Sequence, residues 1–164
     1  MKLYTMLAEK DEIILDLLRK DCKLTTREIS EKIGLPITTI HNRVKKMESE
    51  KIITGYTASI DKRKIGKLMT AFIQISVTYT TPSGKRVSQE ELAKLIYQMP
   101  EVEECFIMAG GTDILIRVSV GTVDDLNNFI INKLRELEGV NNTLTSIVLS
   151  DISRAVGKFV SVKM

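Results

Sequence analysis

Apolar and polar positions alternate along this chain in two different ways. The first third has helical spacing, and the remainder mixes strands with helices. Ile14, Leu17 and Leu18, thickened by Ile13 and Leu15, predict a helix running from a cap at Asp11 to about Lys20. Thr25-Thr26-Arg27-Glu28 reads as a capping box, with Thr25 at the N-cap and Glu28 three residues on. Ile29 and Ile33 carry that helix's apolar face, and Gly34 supplies its stop. Ile37, Ile40, Val44 and Met47 then recur at steps of three, four and three, one face of a third helix. Helix, short helix, glycine-containing turn and helix together predict a helix-turn-helix.

Beyond it, Ile52-Ile53-Thr54-Gly55-Tyr56-Thr57-Ala58-Ser59-Ile60 is rich in β-formers and broken by Gly55, which predicts a short strand or wing. Asp61-Lys62-Arg63-Lys64 is charged and has no apolar period. These features set a first domain over residues 1–56, a linker over 57–68 and a second domain over 69–164.

The second domain opens with Ala71, Ile73, Ile75, Val77 and Tyr79 alternating with polar neighbours and Phe72, a strand. A loop with Pro82 and Gly84 leads to a helix capped at Ser88 with Glu91, carrying Leu92, Leu95, Ile96 and Met99. Val102 to Met108 is a second strand, and Ile114, Ile116, Val118 and Val120 mark a third. Thr122 opens a helix with Leu126, Phe129, Ile130, Lys133, Leu134 and Leu137 on one side, ended by Gly139. Val140 to Leu149 is the fourth strand. Strand-helix-strand-strand-helix-strand predicts a ferredoxin-like βαββαβ sandwich, so the fold class is α+β. Its helices cover one sheet face. Phe72 and Leu115 are expected on the bare face, which either meets a second copy as a homodimer or, given Gln74, Ser76, Thr78 and Arg117, stays solvated.

Composition narrows the function. Of 164 residues, 43% are hydrophobic and 27% charged, which fits a globular chain. No apolar run approaches the ~18 residues that span a bilayer, and the N-terminus leads into charge, so neither a membrane partner nor a signal peptide is expected. Cys22 and Cys105 form no CxxC pair, and His41 is the sole histidine, so metal sites and His-based triads lack material. No Walker A loop, GxGxxG or nucleophile elbow is present; neither a catalytic residue nor a cofactor or metal is expected. A cytoplasmic, thiol-reduced protein is the default.

Charge is uneven. Residues 1–64 carry a net +4, and residues 65–164 a net −1. Off its apolar stripe, the third helix bears Thr38, Thr39, His41, Asn42, Arg43, Lys45 and Lys46, and no acid occurs from 37 to 47. A solvated face would interleave both signs, so this helix is read as meeting double-stranded DNA. Arg43, Lys45, Lys46 and Arg27 are the candidates for phosphates, and Thr25 or Thr26 for an uncharged phosphate contact at a helix N-terminus. Thr38, Thr39, His41, Asn42 and Arg43 are the candidates for base edges, although His41 reads equally well as an exposed side chain without a role. Gly110-Gly111-Thr112-Asp113 is either a plain hairpin turn or a seat for an α-amino acid, with backbone N–H groups on its carboxylate and Asp113 on its ammonium.

At this level the chain resembles the Lrp/AsnC (feast/famine) transcription regulators over roughly residues 9–152. The resemblance rests on Asp11-Glu12-Ile13-Ile14-Leu15, Ile29-Ser30-Glu31-Lys32-Ile33-Gly34-Leu35 and Arg43-Val44-Lys45-Lys46-Met47-Glu48. Ile52-Ile53-Thr54-Gly55-Tyr56-Thr57-Ala58, Ala109-Gly110-Gly111-Thr112-Asp113-Ile114-Leu115 and Thr145-Ser146-Ile147-Val148-Leu149 extend it. It implies a winged helix-turn-helix, a C-terminal domain that dimerises and often builds octamers, and an effector, usually an amino acid. By the resemblance, Gly110, Gly111, Thr112, Asp113 and Ser146 are the effector-site residues. The family commonly starts its recognition helix with Ser-Pro; here Pro36-Ile37 stands there, so a cap must come from Thr38 or another arrangement. Thr112 stands where the family loop often has an aromatic. A stand-alone amino-acid sensor acting through protein contacts is the rival reading.

Overall fold

The computed structural model describes residues 8–81 and 84–152, so Pro82 lies outside the described residues. The chain divides into two compact units, one built on residues up to Ser59 and the other spanning Ile60–Ser150.

The first unit holds three helices, α1 (Glu9–Lys20), α2 (Thr26–Ile33) and α3 (Ile37–Ser49). Each turns one stripe inward, and Ile14, Ile29, Ile40 and Met47 meet as a core flanked by Leu17, Leu24, Ile33, Val44 and Ile53. Asp11 does not cap α1. The N-cap is Ala8, whose carbonyl accepts the Asp11 N–H at 2.7 Å, so Asp11 is already inside the first turn. Its charge, with Glu9 and Glu12, sits where the helix dipole favours acids. The capping box of α2 is complete, and Gly34 ends that helix in the left-handed region at φ 73°. Thr38 does not cap α3: Pro36 is its N-cap, with no side-chain hydrogen bond, and the Pro36 carbonyl accepts the Ile40 N–H at 3.1 Å.

The β-rich run 52–60 forms no strand. The Ile52 and Ile53 N–H groups both donate to the Met47 carbonyl, at 2.9 and 3.0 Å, and close the end of α3. Ile53 packs on the core, and the rest of the run is loop, with no strand pairing to it among the described residues.

In the second unit, a single 3-10 turn over Lys62–Ile65 precedes β1 (Met69–Val77). Then come α4 (Gln89–Tyr97), β2 (Val102–Ile107), β3 (Ile114–Val120), α5 (Val123–Phe129) and β4 (Val140–Ile147). The sheet runs β2-β3-β1-β4, antiparallel throughout. Ala71, Ile73 and Ile75 of β1 and Ile114, Ile116 and Val118 of β3 point into one core with Leu92, Ile96, Leu126 and Phe129 from the helices. Each strand's alternate positions turn the other way. In register these form two rows, Phe106-Leu115-Gln74-Leu144 and Glu104-Arg117-Phe72-Ser146. Phe106, Phe72 and Leu144 are exposed in the single chain.

Two details differ from the sequence expectation. Leu95 of α4 is exposed rather than core. The helix expected to continue from Thr122 towards Gly139 is α-helical only to Phe129, then widens into a π turn over Ile130–Leu134, where the Arg135 N–H reaches back five residues to the Ile130 carbonyl. The wider turn lets Phe129 and Leu134, five apart, both point inward at 0% exposure.

Candidate nucleic-acid interface and effector loop

On α3, Thr38, Asn42 and Lys45 recur at steps of four and three, directly opposite the buried Ile40–Met47 stripe. All three are exposed, as are His41 and Lys46 on their flanks, and Thr39 is half-buried. Thr38, His41, Asn42 and Lys45 make no side-chain hydrogen bond among the described residues, so their donors and acceptors are available. Lys46 stands 3.9 Å from Glu50, a loose exposed pair. A surface of amide, hydroxyl, imidazole and ammonium groups with no acid of its own suits base edges and phosphates.

Arg43 is placed differently. It is three residues from Ile40 and four from Met47, on the edge of the buried stripe. Its Nη1 donates to Asp11 Oδ1 of α1 at 2.7 Å.

Thr25 is likewise engaged. Its hydroxyl donates to Glu28 Oε2 at 2.7 Å and accepts the Glu28 N–H at 3.2 Å, while its own N–H donates to Glu28 Oε2 at 2.7 Å. Those bonds hold the Glu28 carboxyl below its ordinary range. Thr26 is half-buried, and Arg27 is exposed and paired with Glu31 at 3.1 Å. Ser30 Oγ donates to the Leu35 carbonyl and braces the turn between α2 and α3. Tyr56, from the run expected to be a wing, donates to Glu48 Oε1 at 2.8 Å. Partial burial, then that bond, raises its hydroxyl above the ordinary tyrosine value.

The Gly110–Asp113 loop joins β2 to β3. Asp113 is its anchor: Oδ1 accepts the Tyr79 hydroxyl at 2.6 Å and Oδ2 accepts the Val77 N–H at 2.8 Å. These two bonds hold the Asp113 carboxyl below its ordinary range, and the same bond raises Tyr79. The Asp113 N–H donates to Ile75 O at 3.1 Å, and its carbonyl accepts from Met108 N–H at 2.8 Å and Gln89 Nε2 at 2.7 Å. Thr112 Oγ1 donates to Gln74 Oε1 at 3.1 Å. Gly110 and Gly111 are exposed at the tip. Ser146 does not lie in the loop. It sits on β4 opposite Phe72, two register positions from Gln74.

Tyr79, Gln89 and Gln74 organise this loop and were not singled out from sequence. Their partners lie between 24 and 38 residues away in the chain, and no local spacing links them. A charged cluster escaped in the same way. Lys62 donates to Glu103 and, at 2.9 Å, to Ser119 Oγ, while Arg117 bonds Glu104 at 2.8 Å. Burial pushes the Glu103 carboxyl up, but the Lys62 ammonium, the Ser119 hydroxyl and Arg117 outweigh it and hold the group low. Two cavities, of about 530 and 360 Å3, lie elsewhere. One is beside Thr78, Arg135 and Gly139, the other beside Lys67, Glu101 and Lys133. Among the described residues no cluster of His, Cys, Asp and Glu could hold a metal ion, and no helix is long and apolar enough to cross a membrane.

Comparison with known proteins identifies both units. Residues 7–54 match the family model of a winged helix-turn-helix DNA-binding domain, and residues 70–156 match the Lrp/AsnC ligand-binding domain. The chain belongs to the Lrp/AsnC family of transcriptional regulators. Among its relatives in that family is an HTH-type transcriptional regulator of Pyrococcus furiosus, 33% identical, with the match covering 92% of this chain and 98% of that one. The transcriptional regulator FL11 of the same organism is also 33% identical, over 88% of this chain and 90% of its own. A Neisseria meningitidis regulator solved in complex with L-Met aligns with a TM-score of 0.81 at 27% identity, covering 89% of this chain and 92% of that one. Escherichia coli AsnC aligns at 0.75 and 26%, covering 90% and 95%. As an Lrp/AsnC regulator, the chain pairs a DNA-binding helix-turn-helix with a ligand-binding α+β domain.

Proposed function

We propose that this regulator reads duplex DNA with the outward row of α3. Asn42, Thr38 and His41 address base edges, Thr39 lies beside them, and Lys45, Lys46 and Arg27 address phosphates. The observation that carries this reading is the acid-free row Thr38-Asn42-Lys45 standing exposed opposite the buried stripe of the same helix. Asn reads adenine bidentately in the major groove, worth ~1–3 kcal/mol of discrimination. Thr25 contributes as the cap of α2 rather than as a free hydroxyl.

The effector is an α-amino acid or a close analogue, taken at the Gly110–Asp113 loop. The exposed N–H groups of Gly110 and Gly111 suit its carboxylate. The match to a ligand-binding domain and the L-Met complex of the Neisseria relative support this choice. The protein acts in the cytoplasm as a homodimer joined through the bare sheet face, with further assembly towards octamers, and it works by binding rather than catalysis. A dimer presents two α3 helices to half-sites about a helical turn or a multiple apart, so the operator is roughly palindromic.

Selection of bound fragments from random DNA, with and without each amino acid, tests the whole reading. The expected result is an enriched palindromic site whose recovery changes with one or a few amino acids. Uniform recovery of all sequences overturns specific recognition. Unchanged recovery with every amino acid, together with no ligand-induced rise in melting temperature, overturns the effector assignment.

A further inference from the structure

Arg43 looks, by sequence, like the strongest DNA ligand on α3, being cationic and mid-helix. Its surroundings give it another task. It stands three residues from Ile40 and four from Met47, both essentially buried, and so at the edge of the buried stripe. Its side chain is 32% exposed and that of Asp11 is 16% exposed, against 69% for Lys46 on the open flank. The 2.7 Å bond joins residues 32 apart and ties the first turn of α1 to the middle of α3. The Nε of Arg43 is buried with no hydrogen-bond partner among the described residues. A guanidinium swinging out to a phosphate would abandon Asp11, leaving a half-buried carboxylate unpaired close to the polyanion.

We infer that Arg43 is a positioning residue: paired with Asp11, it sets the seat of α3 on α1, and it does not itself touch DNA. This rests on the reading of α3 as the DNA-facing helix. It also changes the electrostatic ledger of the interface, since the cations left to neutralise phosphate on α3 are Lys45 and Lys46. A charge on the core edge makes the recognition helix depend on an acid from another helix, so Asp11 becomes a determinant of DNA affinity although it is negative.

The two roles separate by salt dependence. A phosphate-neutralising cation contributes about 0.9 to the slope of log affinity against log salt, whereas a positioning residue shifts affinity without changing that slope. The full chain is compared with its Asp11→Asn, Arg43→Gln and Lys45→Gln variants. Each is titrated on a fragment recovered from the selection at five salt concentrations, with circular dichroism to verify folding. Asp11→Asn and Arg43→Gln should each weaken binding by roughly tenfold, along lines parallel to the parent. Lys45→Gln should lower the slope by about 0.9. An Arg43→Gln line as flattened as that of Lys45→Gln overturns the inference alone, as does undiminished affinity in Asp11→Asn. An unchanged slope for Lys45→Gln removes α3 from the DNA and takes both readings with it. Should Arg43→Gln not fold, Asp11→Asn decides: affinity equal to or above the parent refutes the positioning role.

Discussion

The Tyr79 hydroxyl donates to Asp113 Oδ1 at 2.6 Å, closing a bond between residues 34 apart and fastening the Gly110–Asp113 loop to the chain just past β1. The Val77 N–H takes the other carboxylate oxygen at 2.8 Å. Each carboxylate oxygen thus accepts a bond from the chain itself, so Asp113 shapes the loop. Under the proposed effector reading, an ammonium group is met by the acceptor capacity these bonds leave, or by neighbouring carbonyls.

That arrangement makes a pH prediction. The Tyr79 and Val77 donors depress the Asp113 pKa in the folded state. Stabilisation from a depressed carboxyl is present in full above the unfolded value, near 4, and is lost as pH falls through the lower folded value. The melting temperature of the parent should therefore exceed that of Asp113→Asn by a constant margin from neutral pH down to about 5. The margin should shrink below about pH 4. Thermal melts across that range check it, and a margin that grows on acidification contradicts the assignment. Tyr79→Phe should narrow the neutral-pH margin, because the Tyr79 hydroxyl does most to hold the Asp113 carboxyl low.

Thr25 offers a test of capping against phosphate contact. Its hydroxyl and N–H are both spent on Glu28. Thr25→Ala should cost the first unit about 1 kcal/mol of stability, and Thr25→Ser should restore most of it. Denaturant unfolding followed by helical circular dichroism measures both. If Thr25→Ala left stability intact but weakened DNA binding, the hydroxyl would be a phosphate contact and not a cap.

The bare sheet face gives a third expectation. Phe106 and Leu144 stand exposed in one register row of this face, and Phe72 in the next. Replacing Phe72 and Leu144 with Asp together should convert dimers to monomers in sedimentation equilibrium. The sheet's inner core, with Ile73 and Ile116 at 0% exposure, is untouched by the change. Persistence of dimers at low micromolar concentration would place the interface elsewhere.

Sequence alone determined the order and type of nearly every element, because caps and apolar periods are local. The Thr25–Glu28 box, the inward alternation of Ile73 and Ile75 and of Ile114 and Ile116, and the steps of Ile40, Val44 and Met47 each lie within one helix or strand. The exposed row of α3 followed from the same arithmetic. Only the tertiary structure decided which polar groups are free. Arg43 and Lys45 are two residues apart and alike in charge, yet one is bound to Asp11 and the other stands open. Asp113 reads as a ligand-seeking carboxylate until Tyr79 and Val77 are folded against it. The run 52–60, expected as a short strand or wing, forms no strand for the same reason: β-forming residues need a partner strand, and the Ile52 and Ile53 N–H groups bond the Met47 carbonyl instead. Hydrogen bonds and ion pairs between distant segments carry no periodicity, so they become visible only when the chain has closed on itself.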